Sequence, residues 1–157
     1  MENVDYWLYE FVMPEEDVEI KLVLTEPSYN ILNGEYNCGV IAKKNILVSK
    51  GIEMKFENGT AYIYTRQIQG KIVKKTEKRS FAFDGLMYCT EYSEELIARF
   101  TEIEEYFMIE GCENTEESVY NYYFFEFEEY WYAIHTVDIT SEEGSWQEIA
   151  IYRMVKI

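Results

Sequence analysis

Carboxylates are the most numerous reactive side chains in this 157-residue sequence, which holds 30 Asp and Glu against 14 Lys and Arg. Two neighbouring carboxylates can act as the acid and the base of a glycosidase, or can bind magnesium. An enzyme of either kind is therefore one alternative. With so many acids, however, such pairs also occur by chance, and the sequence singles out none of them as catalytic.

The other residue types that usually carry catalysis are scarce. The single histidine, His135, excludes histidine triads and two-histidine metal sites, and its alternating surroundings predict a strand residue. Three separated cysteines, Cys38, Cys89 and Cys112, match neither a zinc knuckle nor a disulfide framework and fit a reducing cytoplasm. No glycine-rich phosphate loop or EF-hand spacing occurs. We therefore predict no catalytic residues, no metal and no cofactor.

The net charge of −16 is unevenly distributed along the chain. Residues 1–35 hold nine acids and one base, residues 36–90 hold four acids and ten bases, and residues 91–157 hold 17 acids and three bases. The bases of the middle part gather between Arg66 and Arg79. This basic segment is either an interface or a partner for the protein's own acids. It lacks aromatic side chains for base stacking, and the net charge repels a duplex, so we predict no direct binding of nucleic acid.

A surface for a basic partner protein is the hypothesis that these residues favour. Glutamates two apart on a strand are separated by about 7 Å, and helix neighbours by roughly 5–6 Å. These distances resemble the spacing of charges along a nucleic-acid strand, and tyrosines add rigid contact area. The candidate partner-binding residues are Glu102, Glu105, Glu113, Glu116, Glu117, Glu126, Glu128, Glu129, Tyr130, Glu142 and Glu143. Alternatively, these glutamates only solvate the outer face of an aromatic-rich sheet.

In charge and size the chain is similar to phage anti-defence proteins, anti-CRISPR proteins among them, and to immunity proteins against nuclease toxins. The likeness is to a functional class, and no shared motif carries it. It implies a non-enzymatic, cytoplasmic inhibitor that mimics nucleic acid and binds a basic, nucleic-acid-binding protein, as a monomer or homodimer. Two alternatives are a small carboxylate-based enzyme or ligand-binding domain with a pocket between helix and sheet, and a structural or assembly protein such as a virion component.

The length suits a single domain, residues 1–157. No stretch approaches the roughly 18–20 apolar residues of a membrane span, and the first residues lack the pattern of a signal peptide.

Asn58-Gly59 predicts a tight hairpin in which Glu57 lies opposite Thr60. Gln69-Gly70 indicates a further turn.

One main amphipathic helix is predicted over residues 94–109, with Ser93 as its N-cap and an apolar stripe from Leu96 to Phe107. Strands are predicted over residues 6–13, 18–24, 39–48, 71–83, 119–139 with a break at Glu128-Glu129, and 146–157. The order predicts an α+β fold, in which this helix packs on a largely antiparallel sheet.

Overall fold

A computed structural model of the protein describes residues 28–45, 51–64, 68–110 and 115–157. The predicted strands over residues 6–13 and 18–24, and the candidate residue Glu113, lie outside the described residues. The strands are β1 Gly34–Lys44, β2 Gly51–Glu57, β3 Thr60–Ile63, β4 Ile68–Lys75, β5 Arg79–Ser80, β6 Met87–Tyr88, β7 Glu102–Ile103, β8 Tyr106–Glu110, β9 Ser118–Phe127, β10 Tyr130–Ser141 and β11 Gly144–Lys156. The α-helix is α1 Glu94–Ala98, and 3₁₀ turns span Ser28–Leu32 and Arg99–Thr101.

Eight of the strands form a closed antiparallel barrel. The strands follow one another around it in chain order, as β1, β2, β3, β4, β8, β9, β10 and β11. The pairing of β11 with β1 closes the barrel. This seam runs from Tyr36 opposite Lys156 to Lys44 opposite Ile149. β6 pairs with β1, and β5 pairs with β7 in a separate small sheet.

The predicted α+β fold with one main helix is therefore wrong. Ser93 does cap a helix, because its Oγ accepts a hydrogen bond from the backbone N–H of Leu96 at 3.2 Å, but α1 ends at Ala98. The chain then forms β7 and β8, where Phe107 and Ile109 point into the barrel and Tyr106 and Met108 point outward. A strand that is apolar on both faces has no alternation, so its apolar residues also fit a helical stripe.

Side chains fill the inside of the barrel. All eight barrel strands contribute to this core. Its residues are Tyr36, Cys38, Ile52, Met54, Phe56, Ala61, Ile63, Ile72, Phe107, Ile109, Tyr122, Phe124, Ala133, Val137, Ala150, Tyr152 and Met154. An eight-stranded barrel is about wide enough for such filling. His135 is fully buried there, with its ring stacked on Tyr122 at 4.0 Å between centroids and its Nδ1 3.2 Å from the carbonyl oxygen of Asn121.

A second core lies on the outer face of β8–β11. The segment between β4 and β8, residues 76–105, covers this face, and its Phe100 ring lies 5.0 Å from that of Phe125 and 4.8 Å from that of Tyr132. Phe81 of the same segment packs edge-to-face on Tyr123 at 5.1 Å. Both faces of the central part of β9, residues 122–125, are thus buried, which accounts for the continuous run of aromatic residues there.

The predicted hairpin turns are confirmed. Asn58 and Gly59 have φ of 50° and 83°, and the register places Glu57 opposite Thr60. The break at Glu128-Glu129 is the turn between β9 and β10, and a further turn joins β10 to β11 between Ser141 and Gly144.

The turn predicted at Gln69-Gly70 is wrong, because both residues lie within β4. A Cβ on Gly70 would lie 2.4 Å from Cγ2 of Ile109 and 2.9 Å from the carbonyl oxygen of Glu110. The glycine therefore allows β4 and β8 to approach each other closely.

Candidate partner-binding surface

The candidate partner-binding residues divide between the two ends of the barrel. Glu116, Glu117, Glu142 and Glu143 lie where β10 turns into β11, and we call this group the acidic tip. The opposite end, where β9 turns into β10, holds Glu105, Glu126, Glu128, Glu129 and Tyr130. Glu102 lies in β7, within the segment 76–105 that covers the outer face of the barrel. β10 has 12 residues, so about 36 Å of strand separates the ends. The candidates do not form one continuous surface.

The acidic tip lies on the parts of β9, β10 and β11 beyond their last described pairings with β1 and β8. Among the described residues, the pairing of β11 with β1 ends at Ile149, and that of β9 with β8 ends at Tyr123. Beyond these points, the residues of β9, β10 and β11 have no other described strand as a partner. The backbone N–H of Thr140 donates to the carbonyl oxygen of Glu117 at 2.8 Å, which joins the loop before β9 to the hairpin.

No cation among the described residues forms an ion pair with the tip. All four glutamates are exposed, and none forms an ion pair with another described residue. Residues 115–152 contain nine acids and no Lys or Arg. Trp146 lies in the same β10–β11 hairpin and is 45% exposed, so the tip combines negative charge with a large aromatic side chain.

At the opposite end, two candidates contact the protein's own arginines. The Glu128 carboxylate lies 3.0 Å from the Arg99 guanidinium. The Tyr130 ring stacks under the Arg153 guanidinium at 3.7 Å, and Arg153 also donates to the Tyr92 hydroxyl at 2.6 Å. These contacts tie the covering segment to the barrel and give Glu128 and Tyr130 a structural role.

A cleft of about 610 Å³ opens at this second end of the barrel. Phe107, Phe124 and Trp131 form its walls, and the exposed Lys74, Glu105 and Glu126 lie at its entrance. Glu105 and Glu126 are among the candidate residues predicted from the sequence, whereas Lys74 and Trp131 are not. The alternation of β4 and β10 could have assigned Lys74 and Trp131 to the inner face, but only the closed barrel brings these strands to one opening.

The remaining reactive groups of the described residues form no site. Burial raises the pKa of the Cys38 thiol to about 12, which keeps this thiol protonated. Cys89 is exposed, and neither of these cysteines is in a disulfide. Across the part of the chain that the structure describes, no three His, Cys, Asp or Glu side chains are grouped so that they could hold a metal ion. Within the same residues, no helix has the length and apolar character needed to cross a membrane.

No family model, curated protein or solved structure matches this chain. Function therefore has to be inferred from the geometry and charge of its own residues. In the described part of the chain, the acidic tip and the cleft lie outside the packed cores and bring charged and aromatic side chains together.

Proposed function

We propose that the protein is a non-enzymatic inhibitor that binds a basic, nucleic-acid-binding partner protein through the acidic tip. The observation that carries this proposal is the set of four exposed carboxylates, Glu116, Glu117, Glu142 and Glu143, beside the turn from β10 to β11 and beyond the last described pairings with β1 and β8. An exposed group of carboxylates can enter a groove lined by Lys and Arg, where it takes the place of phosphates.

Electrostatics would make this encounter fast and selective. The protein carries a net charge of −16, and the tip adds a local field that described cations do not cancel. Complementary charge raises association rates and disfavours partners of the same sign. Because the Debye length is about 8 Å at physiological ionic strength, the carboxylates of the tip act mainly at close range.

Trp146 would supply the apolar part of the interface. Tryptophan is among the residues that most often contribute large binding energies, and it does so in contacts surrounded by polar groups. The exposed fraction of Trp146, 45%, leaves much of its ring available for a partner. A cytoplasmic location belongs to the same proposal, because Cys38 and Cys89 are not in disulfides.

The test is affinity capture from cells that naturally produce the chain. The full-length protein is immobilised at low salt, and proteins that elute at high salt are identified by mass spectrometry. The variant Glu116→Gln/Glu117→Gln/Glu142→Gln/Glu143→Gln removes the charge of the tip. A matched control, Glu35→Gln/Glu53→Gln/Glu91→Gln/Glu104→Gln, removes the same charge from other exposed positions.

We expect wild type and the control to retain a basic protein that the tip variant loses. Wild type should then compete with DNA or RNA for the purified partner, and Trp146→Ala should weaken this competition by about tenfold or more. If both charge variants lose the partner equally, binding depends on net charge and not on the tip. A partner whose nucleic-acid binding is unaffected by wild type would contradict the inhibitor proposal.

A further inference from the structure

The cleft at the end of the barrel opposite the acidic tip has the size and walls of a small-molecule site. Its volume of about 610 Å³ lies within the range of roughly 300–1,000 Å³ that is usual for such sites. The Phe107 and Trp131 rings lie 6.1 Å apart at an angle of 43°. Phe124 is held edge-to-face against Phe56 of the barrel core at 5.0 Å. The core thus fixes the aromatic walls in advance, which lowers the entropic cost of binding.

Strand register places charged groups beside these walls. Glu126 lies directly opposite Trp131 in the pairing of β9 with β10, and Lys74 lies directly opposite Phe107 in the pairing of β4 with β8. Glu105, just before β8, lines the same cleft. These three charged side chains form no ion pair with each other or with other described residues. No described residue thus competes with a ligand for these two carboxylates and this ammonium.

We propose that this cleft binds a small organic monoamine with an apolar, preferably aromatic, body. The apolar body would pack against Ile31, which lines the cleft and is 57% exposed, and the ammonium would lie over the Trp131 indole, which is the most favourable side chain for cation–π contacts. Glu105 and Glu126 would accept its charge-assisted hydrogen bonds. The Lys74 ammonium at the same entrance disfavours a second positive charge, so the site selects a monoamine over a polyamine. This inference is independent of the function proposed for the acidic tip.

Three probes that share a phenyl-alkyl body test the proposal: 2-phenylethylamine, 2-phenylethanol and 3-phenylpropionate. Each is titrated into the full-length protein, and binding is followed by ligand-observed NMR. We expect the amine to bind with a Kd of about 1 mM or tighter, about tenfold more tightly than the alcohol, and the carboxylate to bind most weakly. Spermidine should bind more weakly than 2-phenylethylamine.

Variants distinguish binding in the cleft from the general attraction of an acidic protein for cations. Trp131→Ala should weaken binding of 2-phenylethylamine by about tenfold. Glu105→Gln/Glu126→Gln should remove the preference for the amine over the alcohol, and both positions are exposed, so this variant should fold. Glu142→Gln/Glu143→Gln makes the same charge change at the acidic tip and should leave the preference unchanged.

Several results would overturn the proposal. These are a lack of amine binding at 10 mM probe, equal binding of the amine and the carboxylate, and an amine preference that survives Glu105→Gln/Glu126→Gln. Equal loss in the Glu142→Gln/Glu143→Gln variant would instead assign the binding to net charge, and would also contradict a site in the cleft.

Discussion

The carboxylate of Glu128 lies 3.0 Å from the guanidinium of Arg99, and this ion pair joins the turn between β9 and β10 to the 3₁₀ turn that follows α1. Both side chains are 63% exposed, so the pair contributes less than about 1 kcal/mol to stability. The turn itself is unusual, because Glu128 and Glu129 have φ of 49° and 79°. Residues with a Cβ rarely adopt this left-handed conformation, which glycine adopts without strain.

Glu129→Gly should therefore stabilise the protein. We expect the free energy of unfolding to rise by about 1 kcal/mol, because the substitution removes the steric cost of a positive φ. Urea denaturation followed by tryptophan fluorescence measures the change. The control is Glu143→Gly in the other hairpin turn, where φ is not positive. It should lower stability by about 0.5–1 kcal/mol, and stabilisation of both turns by glycine would contradict the explanation.

Gly70→Ala should strongly destabilise the barrel. The added Cβ would collide with Ile109 and with the backbone of Glu110, so that β4 and β8 must separate. We expect a loss of about 2 kcal/mol in the free energy of unfolding, measured by the same denaturation. Gly39→Ala is a matched control in β1, where a Cβ would meet no atom within 4 Å, and it should change stability by less than about 0.5 kcal/mol. Similar losses in both variants would argue against this strand contact.

The cysteines should differ sharply in reactivity towards Ellman's reagent. Cys38 is buried with a pKa raised to about 12, whereas Cys89 is exposed. In a Cys112→Ser background at pH 8, we expect one thiol to react at once and the second only after denaturant is added. Removal of Cys89 by Cys89→Ser should abolish the fast phase. Two fast thiols in the native protein would place Cys38 in contact with solvent.

The buried thiol also predicts a loss of stability at alkaline pH. The pKa of Cys38 rises from 9.0 to about 12 on folding, so the unfolded chain releases this proton first. The stabilisation is complete below pH 9 and falls as the pH rises towards 12. Between pH 9 and pH 10 the loss from this group is about 1 kcal/mol. Cys38→Ala should lose less stability than wild type over this interval, and parallel curves for the two proteins would contradict the prediction.

The features of the fold that could be predicted from the sequence are the local ones. Asn58-Gly59 defines its turn through backbone conformation, and Ser93 defines the start of α1 through a single hydrogen bond, so neither needs distant residues. Closure of the barrel depends on the pairing of β1 with β11, which are far apart in sequence. The helical prediction for residues 102–109 failed because the segment 76–105 buries the outer face of β8 and so removes the alternation of a strand.

For the candidate site too, the local features could be predicted from the sequence, and those that depend on distant strands could not. Glu116, Glu117, Glu142 and Glu143 are exposed and lie close to turns, as their flanking residues indicate. Glu126 and Glu128 lie at the other end of the barrel because the turns before and after β10 are at opposite ends of this strand. The distribution of charge along the sequence does not reveal this separation. The cleft could not be predicted either, because Lys74, Phe107 and Trp131 come from three strands that meet only after closure.

The seam between β1 and β11 has a consequence for synthesis on the ribosome. Gly39 pairs with Arg153 across the seam, so β1 is translated more than a hundred residues before the strand that completes its pairing. Until then the nascent barrel has an open edge that can bind other chains. We therefore expect slow, late folding with a high contact order, and a dependence on chaperones that shield β1 during translation.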